Sequence, residues 1–187
     1  MAVKFSLLPA DHLSESSRTA VWIVLVTVSS VLFSLGFACA TPFAALAAIA
    51  GSRMSRSSAL LLVAATWLAN QAVGYLVLDY PRTVDSFGWG FAIGAAALLA
   101  TLAVHELGRF GLRPIVQFAA AFAVAFAVDQ AALFSATAVL PSNGGFSMAV
   151  ILYVAKINAL GFAALFALYQ LSVAAGLLTT PARRAAA

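Results

Sequence analysis

Charge is what this chain has least of. Asp, Glu, Lys and Arg make up 9% of its 187 residues, against about 25% in soluble domains. That scarcity excludes a water-soluble globule and a disordered chain. Cysteine occurs once, at Cys39, which excludes an internal disulfide and a cysteine-rich metal cage. Six acidic residues and two histidines leave little for acid–base catalysis. His105-Glu106 opens like a zinc-protease motif, but position 109 is Arg and the second histidine is missing. There is no Gly-rich phosphate loop and no Ser/His/Asp set with supporting spacing, so the chain does not read as an enzyme and carries no intrinsic cofactor signature. The net charge of +4 sits singly or in pairs in short connections. That is how membrane topology signals look, not a nucleic-acid patch.

What the chain does have is apolar length. Hydrophobic residues make up 64% and the mean hydropathy is +1.03. Apolar runs cover 20–50, 57–79, 86–105, 114–140 and 146–178. A helical span needs about 20 residues, whereas barrel strands alternate over about 10. The reading is an all-α integral membrane protein. Residues 1–19 form a polar tail, 20–179 one transmembrane domain, and 180–187 a second tail. Asp11 or Ser14 is placed to cap a first helical turn. Arg18, the run to Leu35 and Ala38-Cys39-Ala40 also imitate a cleavable signal peptide.

The first run decides the helix count. Gly36-Phe37-Ala38-Cys39-Ala40-Thr41-Pro42 interrupts it. If the chain turns there, it has six helices; if not, five. With a turn, one side carries Lys4, Arg18, Arg53, Arg56, Arg109, Arg113, Arg183 and Arg184, and the other Arg82 alone. Without it, eight to one becomes six to three. The positive-inside rule favours the turn. Pro42 breaks a helix and Gly36 suits a helix C-terminus. The expectation is a six-helix transmembrane bundle with both termini cytoplasmic and a five-helix chain as the alternative. The first two helices would be short, at about 15 residues each.

Within the membrane, Asp129 and Lys156 stand out, each costing about 2.5–3.5 kcal/mol at a helix centre. They lie fourteen residues before and thirteen after Asn143, the middle of a hairpin turn. Equal depth on consecutive helices makes an ion pair the expectation, either fixing helix register or contacting substrate. Gln130 and Asn158 extend that polar cluster. Trp67, Asn70, Gln71 and Gly74 share a helical stripe beside Tyr75. Such amides either glue helices or bind a ligand. Tyr80, Trp89 and Tyr153 fall near the outer surface, where aromatic anchoring is the default. Cys39 reads as a small apolar residue or as a soft ligand for a metal-bearing cofactor.

Six short-looped helices, cytoplasmic termini and an outer polar pocket resemble the substrate-binding S-components of energy-coupling-factor (ECF) vitamin transporters. The chain looks most like the solitary vitamin B12 family BtuM. The resemblance implies uptake of a small solute or vitamin, cobalamin-like, across a bacterial-type inner membrane. It implies Cys39 as a ligand to corrinoid cobalt, and an Ala-x-x-x-Ala coupling motif, for which Ala40, Ala44 and Ala48 have the spacing. The expected pocket comprises Cys39, Asn70, Gln71, Tyr75, Tyr80, Trp89 and Asn143, with Asp129, Lys156 and Asn158 at its floor. The chain has no ATP motif, so an ATP-driven step requires partner subunits. The rival reading is a non-catalytic accessory or assembly subunit of a larger membrane complex.

Overall fold

A computed structural model describes residues 14–36, 41–142, 145–175 and 178. Among these the chain is helical, without a strand. The order is α1 (Glu15–Gly36), α2 (Phe43–Arg53), α3 (Arg56–Leu76), α4 (Val84–Leu107), a 3₁₀ turn (Gly108–Phe110), α5 (Pro114–Ala136) and α6 (Met148–Ala174). Four of them, α3 to α6, are long and apolar enough to cross a membrane.

Local chemistry sets the ends. Ser14 accepts from the Ser17 N–H at 3.2 Å and caps α1. Ser55, Thr83 and Ser147 do the same for α3, α4 and α6. Pro114 opens α5, where a missing N–H costs nothing. Gly36 ends α1, and Pro42 precedes α2. The apolar run 20–50 is therefore two helices. They are not equally short, however. α1 has 22 residues, because it takes in Glu15–Thr19 from the polar tail, whereas α2 has 11.

At 1.5 Å per residue α2 is about 16 Å long, half a hydrocarbon core. It needs no lipid contact, because it runs inside the bundle. Phe43 to Gly51 are all buried, and α3, α4, α5 and α6 surround the helix. Alanine makes this close approach feasible: Ala44, Ala45, Ala47, Ala48 and Ala50 are fully covered. Ala44 and Ala48 thus pack against α4 and α5 in the interior. They are not on a surface that a coupling partner could reach.

The bundle has two ends. The tail end carries the start of α1, the α2–α3 corner, the α4–α5 connection and the end of α6. The loop end carries the α3–α4 loop, the α5–α6 connection and the start of α2. Among the described arginines, Arg18, Arg53, Arg56, Arg109 and Arg113 are at the tail end and Arg82 at the loop end. Glu106 pairs with Arg109 at 2.6 Å, as a helix-end pair one turn apart.

Candidate functional site

The site grows from the α2 N-terminus. Pro42 offers no side-chain cap, so α6 supplies one: Asn158 Oδ1 accepts from the Ala45 N–H at 3.2 Å. A cap of this kind contributes about 0.5–2 kcal/mol. Asn158 in turn donates to the Val154 carbonyl at 3.0 Å. Gly161, one turn further, lets Pro42 approach: a Cβ there would stand 2.6 Å from the proline ring. On the other side, Asn70 of α3 donates its amide to Thr41 Oγ1. Two buried asparagines thus tie the start of α2 to its neighbours.

The α3–α4 loop then folds back. Asp79 takes a left-handed conformation (φ 52°), which aspartate tolerates better than most residues. Behind it the Tyr80 N–H reaches the Gly74 carbonyl at 3.0 Å. The Tyr80 ring lies over Gly74, where a Cβ would meet it at 2.5 Å. Tyr80 packs edge-on against Tyr75, and Tyr75 stacks on Phe87 at 4.8 Å. Tyr75 also shares a hydrogen bond with Ser86 at 3.1 Å. Trp89 donates to the Pro141 carbonyl at 3.0 Å and leans on Phe146.

These groups enclose a cavity of about 450 Å³ at the loop end. Its wall brings together Asn70, Gln71, Tyr75, Tyr80, Trp89, Asp129 and Asn158. Seven of the ten positions singled out in the sequence therefore meet in one place. Thr41, Gln130 and Phe146 also line it. Cys39 and Asn143 lie outside the described residues, although Thr41, two positions after Cys39, is in the wall. Among the described residues no group of three or more His, Cys, Asp or Glu is placed to hold a metal. Trp67 belongs to helix packing instead, donating to the Gly90 carbonyl at 2.8 Å. Tyr153 is exposed on α6.

The expected ion pair is absent. Asp129 is 5% exposed and faces the cavity, whereas Lys156 lies on the exposed side of α6. Two features separate them. α2 is wedged between α5 and α6, which scarcely touch, so equal depth on consecutive helices does not make them neighbours. Asn158 is also the inward residue at this level, and Lys156 stands about 200° around the helix from it. Its flexible stem lets the ammonium reach toward the loop-end surface. The Asp129 carboxylate accepts from Gln130 at 3.1 Å and has no cation partner among the described residues.

No family model, curated protein or solved structure matches the chain.

The cavity can hold a compact molecule. Small-molecule sites run to about 300–1,000 Å³. Its walls offer aromatic faces, four amides (Asn70, Gln71, Gln130 and Asn158) and one carboxylate. Burying a carboxylate without a compensating charge is costly. The positive end of α2 offsets part of it, as about half an elementary charge. That end is already engaged by Asn158 and by the Thr41 carbonyl, which accepts from the Phe43 N–H at 2.9 Å. The remaining demand is for a hydrogen-bond donor or a cation.

Proposed function

We propose that this chain is a solute-binding transport protein of a cell membrane, taking up a small planar molecule that carries an amine or other cationic group. The observation that carries this reading is Asp129: a carboxylate buried in a cavity and facing no cation among the described residues. A bound cation would supply the missing charge. Tyr75, Tyr80, Trp89 and Phe146 would pack against a ring, with added attraction between a cation and their faces. Asn70, Gln71 and Asn158 would select among hydrogen-bonding patterns. Uptake would follow from rocking of helices around the site, with the arginine-rich tail end in the cytoplasm and the cavity opening outward.

A vitamin is a fitting substrate class, and a cobalamin-like corrinoid is its bulkiest candidate. About 450 Å³ would receive only part of such a molecule, with Cys39 as the cobalt ligand. A compact heteroaromatic amine fills the space better. Energy coupling through partner subunits would use a surface other than Ala44 and Ala48, which are buried. The exposed Ala159, Ala163 and Ala167 on α6 are spaced for close helix packing. They favour a membrane partner, and they are the observation behind the second reading, an assembly subunit.

Small molecules retained through gentle purification test the choice. The proposal expects a defined low-mass amine on the wild-type protein. Release of a coloured corrinoid instead, lost in Cys39→Ser, would select the cobalamin reading. A protein that carries neither, but copurifies in fixed ratio with another membrane protein, would favour the assembly subunit.

A further inference from the structure

A second cavity, of about 460 Å³, opens at the tail end between α1, the α2–α3 corner and α6. It shares no residue with the loop-end site, and its reading does not depend on what that site binds. Arg53, the last residue of α2, forms part of its wall. The guanidinium carbon lies 3.9 Å from the centre of the Phe118 ring and 5.7 Å from that of Tyr169. The contact with the Phe118 ring is a cation–π contact that holds the group in the cavity wall. Nε is buried without a hydrogen-bond partner. Among the described residues the Arg53 side chain forms no ion pair and no carboxylate lines the cavity. A partly buried cation with unspent donors is a demand for an anion.

The other polar groups answer to the same chemistry. Ser16, Thr19, Ser55 and Ser58 present hydroxyls to the cavity. Ser55 caps α3, accepting from the Ser58 N–H at 3.4 Å, and donates its own hydroxyl to Ser58 Oγ at 2.9 Å, which leaves the Ser58 hydroxyl to donate. The cavity therefore also meets the positive end of a 21-residue helix. A planar arginine fork, hydroxyl donors and a helix N-terminus together suit a phosphate group. The remaining wall is apolar and runs outward: Ile23 is half-buried, while Leu61 of α3 is 60% exposed. That is a headgroup site continued by a track for a hydrocarbon chain.

We propose that the tail-end cavity binds a phosphate group through Arg53 and Ser58, beside the α3 N-terminus that Ser55 caps, the phosphate being that of an anionic phospholipid whose acyl chain lies along Ile23 and Leu61. A free phosphate shares the headgroup chemistry but leaves the apolar track unused, so the two sources separate experimentally. The full-length protein in uncharged detergent is titrated calorimetrically with dihexanoyl phosphatidylglycerol and, separately, with inorganic phosphate. Saturable binding of the lipid is expected. It weakens by about tenfold or more in Arg53→Met, whose stem still packs on Phe118. It stays within about twofold in Arg56→Gln, which removes an exposed arginine from the same end. Ser58→Asp sets a carboxylate in the wall without touching Arg53, in the first turn of α3 where an acid is tolerated. It should abolish binding, and it answers for an Arg53→Met protein that does not fold. Inorganic phosphate binding as tightly as the lipid would support the phosphate site and overturn its lipid source. No saturable binding of either ligand, or equal losses in Arg56→Gln and Arg53→Met, would overturn the site.

Discussion

At the scale of single residues, Asp129 and Arg53 set the terms. Each is a charge held largely away from water, each faces a cavity, and neither is matched by an opposite charge among the described residues. The two were not equally visible in the sequence. An aspartate inside an apolar run announces itself through its insertion cost. Arg53 reads as one more topology charge in a short turn. Only the Phe118 ring, brought over from α5, reveals that it is drawn inward. Lys156 shows the opposite failure. Its depth along the chain matches Asp129, but depth carries no information about which way a helix is turned. The separation makes a direct prediction. Asp129→Asn and Lys156→Met should change thermal stability independently, and the double variant should equal the sum within about 0.5 kcal/mol. A paired arrangement would instead give a coupling above that value in denaturation experiments.

At the scale of elements, α2 is the unusual member. Most membrane helices show lipid one face; α2 shows it none from Phe43 to Gly51. Its break from α1 was legible, since Pro42 and the arginine count both mark it. Its role as the axis was not, because nothing local says which four helices surround it. Close packing makes it intolerant of added volume. A Cβ on Gly51 would lie 2.7 Å from the Thr101 carbonyl oxygen and 3.0 Å from the Val104 side chain. Gly51→Ala should therefore destabilise the protein by about 1–3 kcal/mol. Gly108→Ala, whose added carbon meets nothing closer than Gln117 Nε2 at 3.9 Å, should stay within about 0.5 kcal/mol. Melting curves of the two variants in the same detergent make the comparison.

At the scale of the whole molecule, two cavities open at opposite ends of one bundle, with α2 between them. The loop-end lining was largely legible, because alternating spans fix which residues arrive at the same end. Asn70, Gln71, Tyr75, Tyr80, Trp89 and Asn158 share that end and line the cavity; which residues of that end turn inward, and that Lys156 does not, was not legible. The tail-end cavity was not, because it depends on how α1 leans over the α2–α3 corner. The proposed orientation rests on the arginine distribution. In a Cys39→Ser background, Ser57→Cys should react with a membrane-impermeant thiol reagent only from the cytoplasmic side. Val84→Cys, at the loop end and 86% exposed, should react only from the outside; the reverse pattern would place the solute cavity on the cytoplasmic face. The loop-end cavity is proposed to read a cationic solute through Asp129. Purified protein titrated with a panel of single-ring heteroaromatic amines and their uncharged isosteres, with the melting temperature followed, checks this. At least one amine should stabilise the wild-type protein saturably, its uncharged isostere should not, and Asp129→Asn should abolish the shift while remaining folded. Equal stabilisation of wild type and Asp129→Asn, or no response to any amine, would overturn Asp129 as the cation's partner.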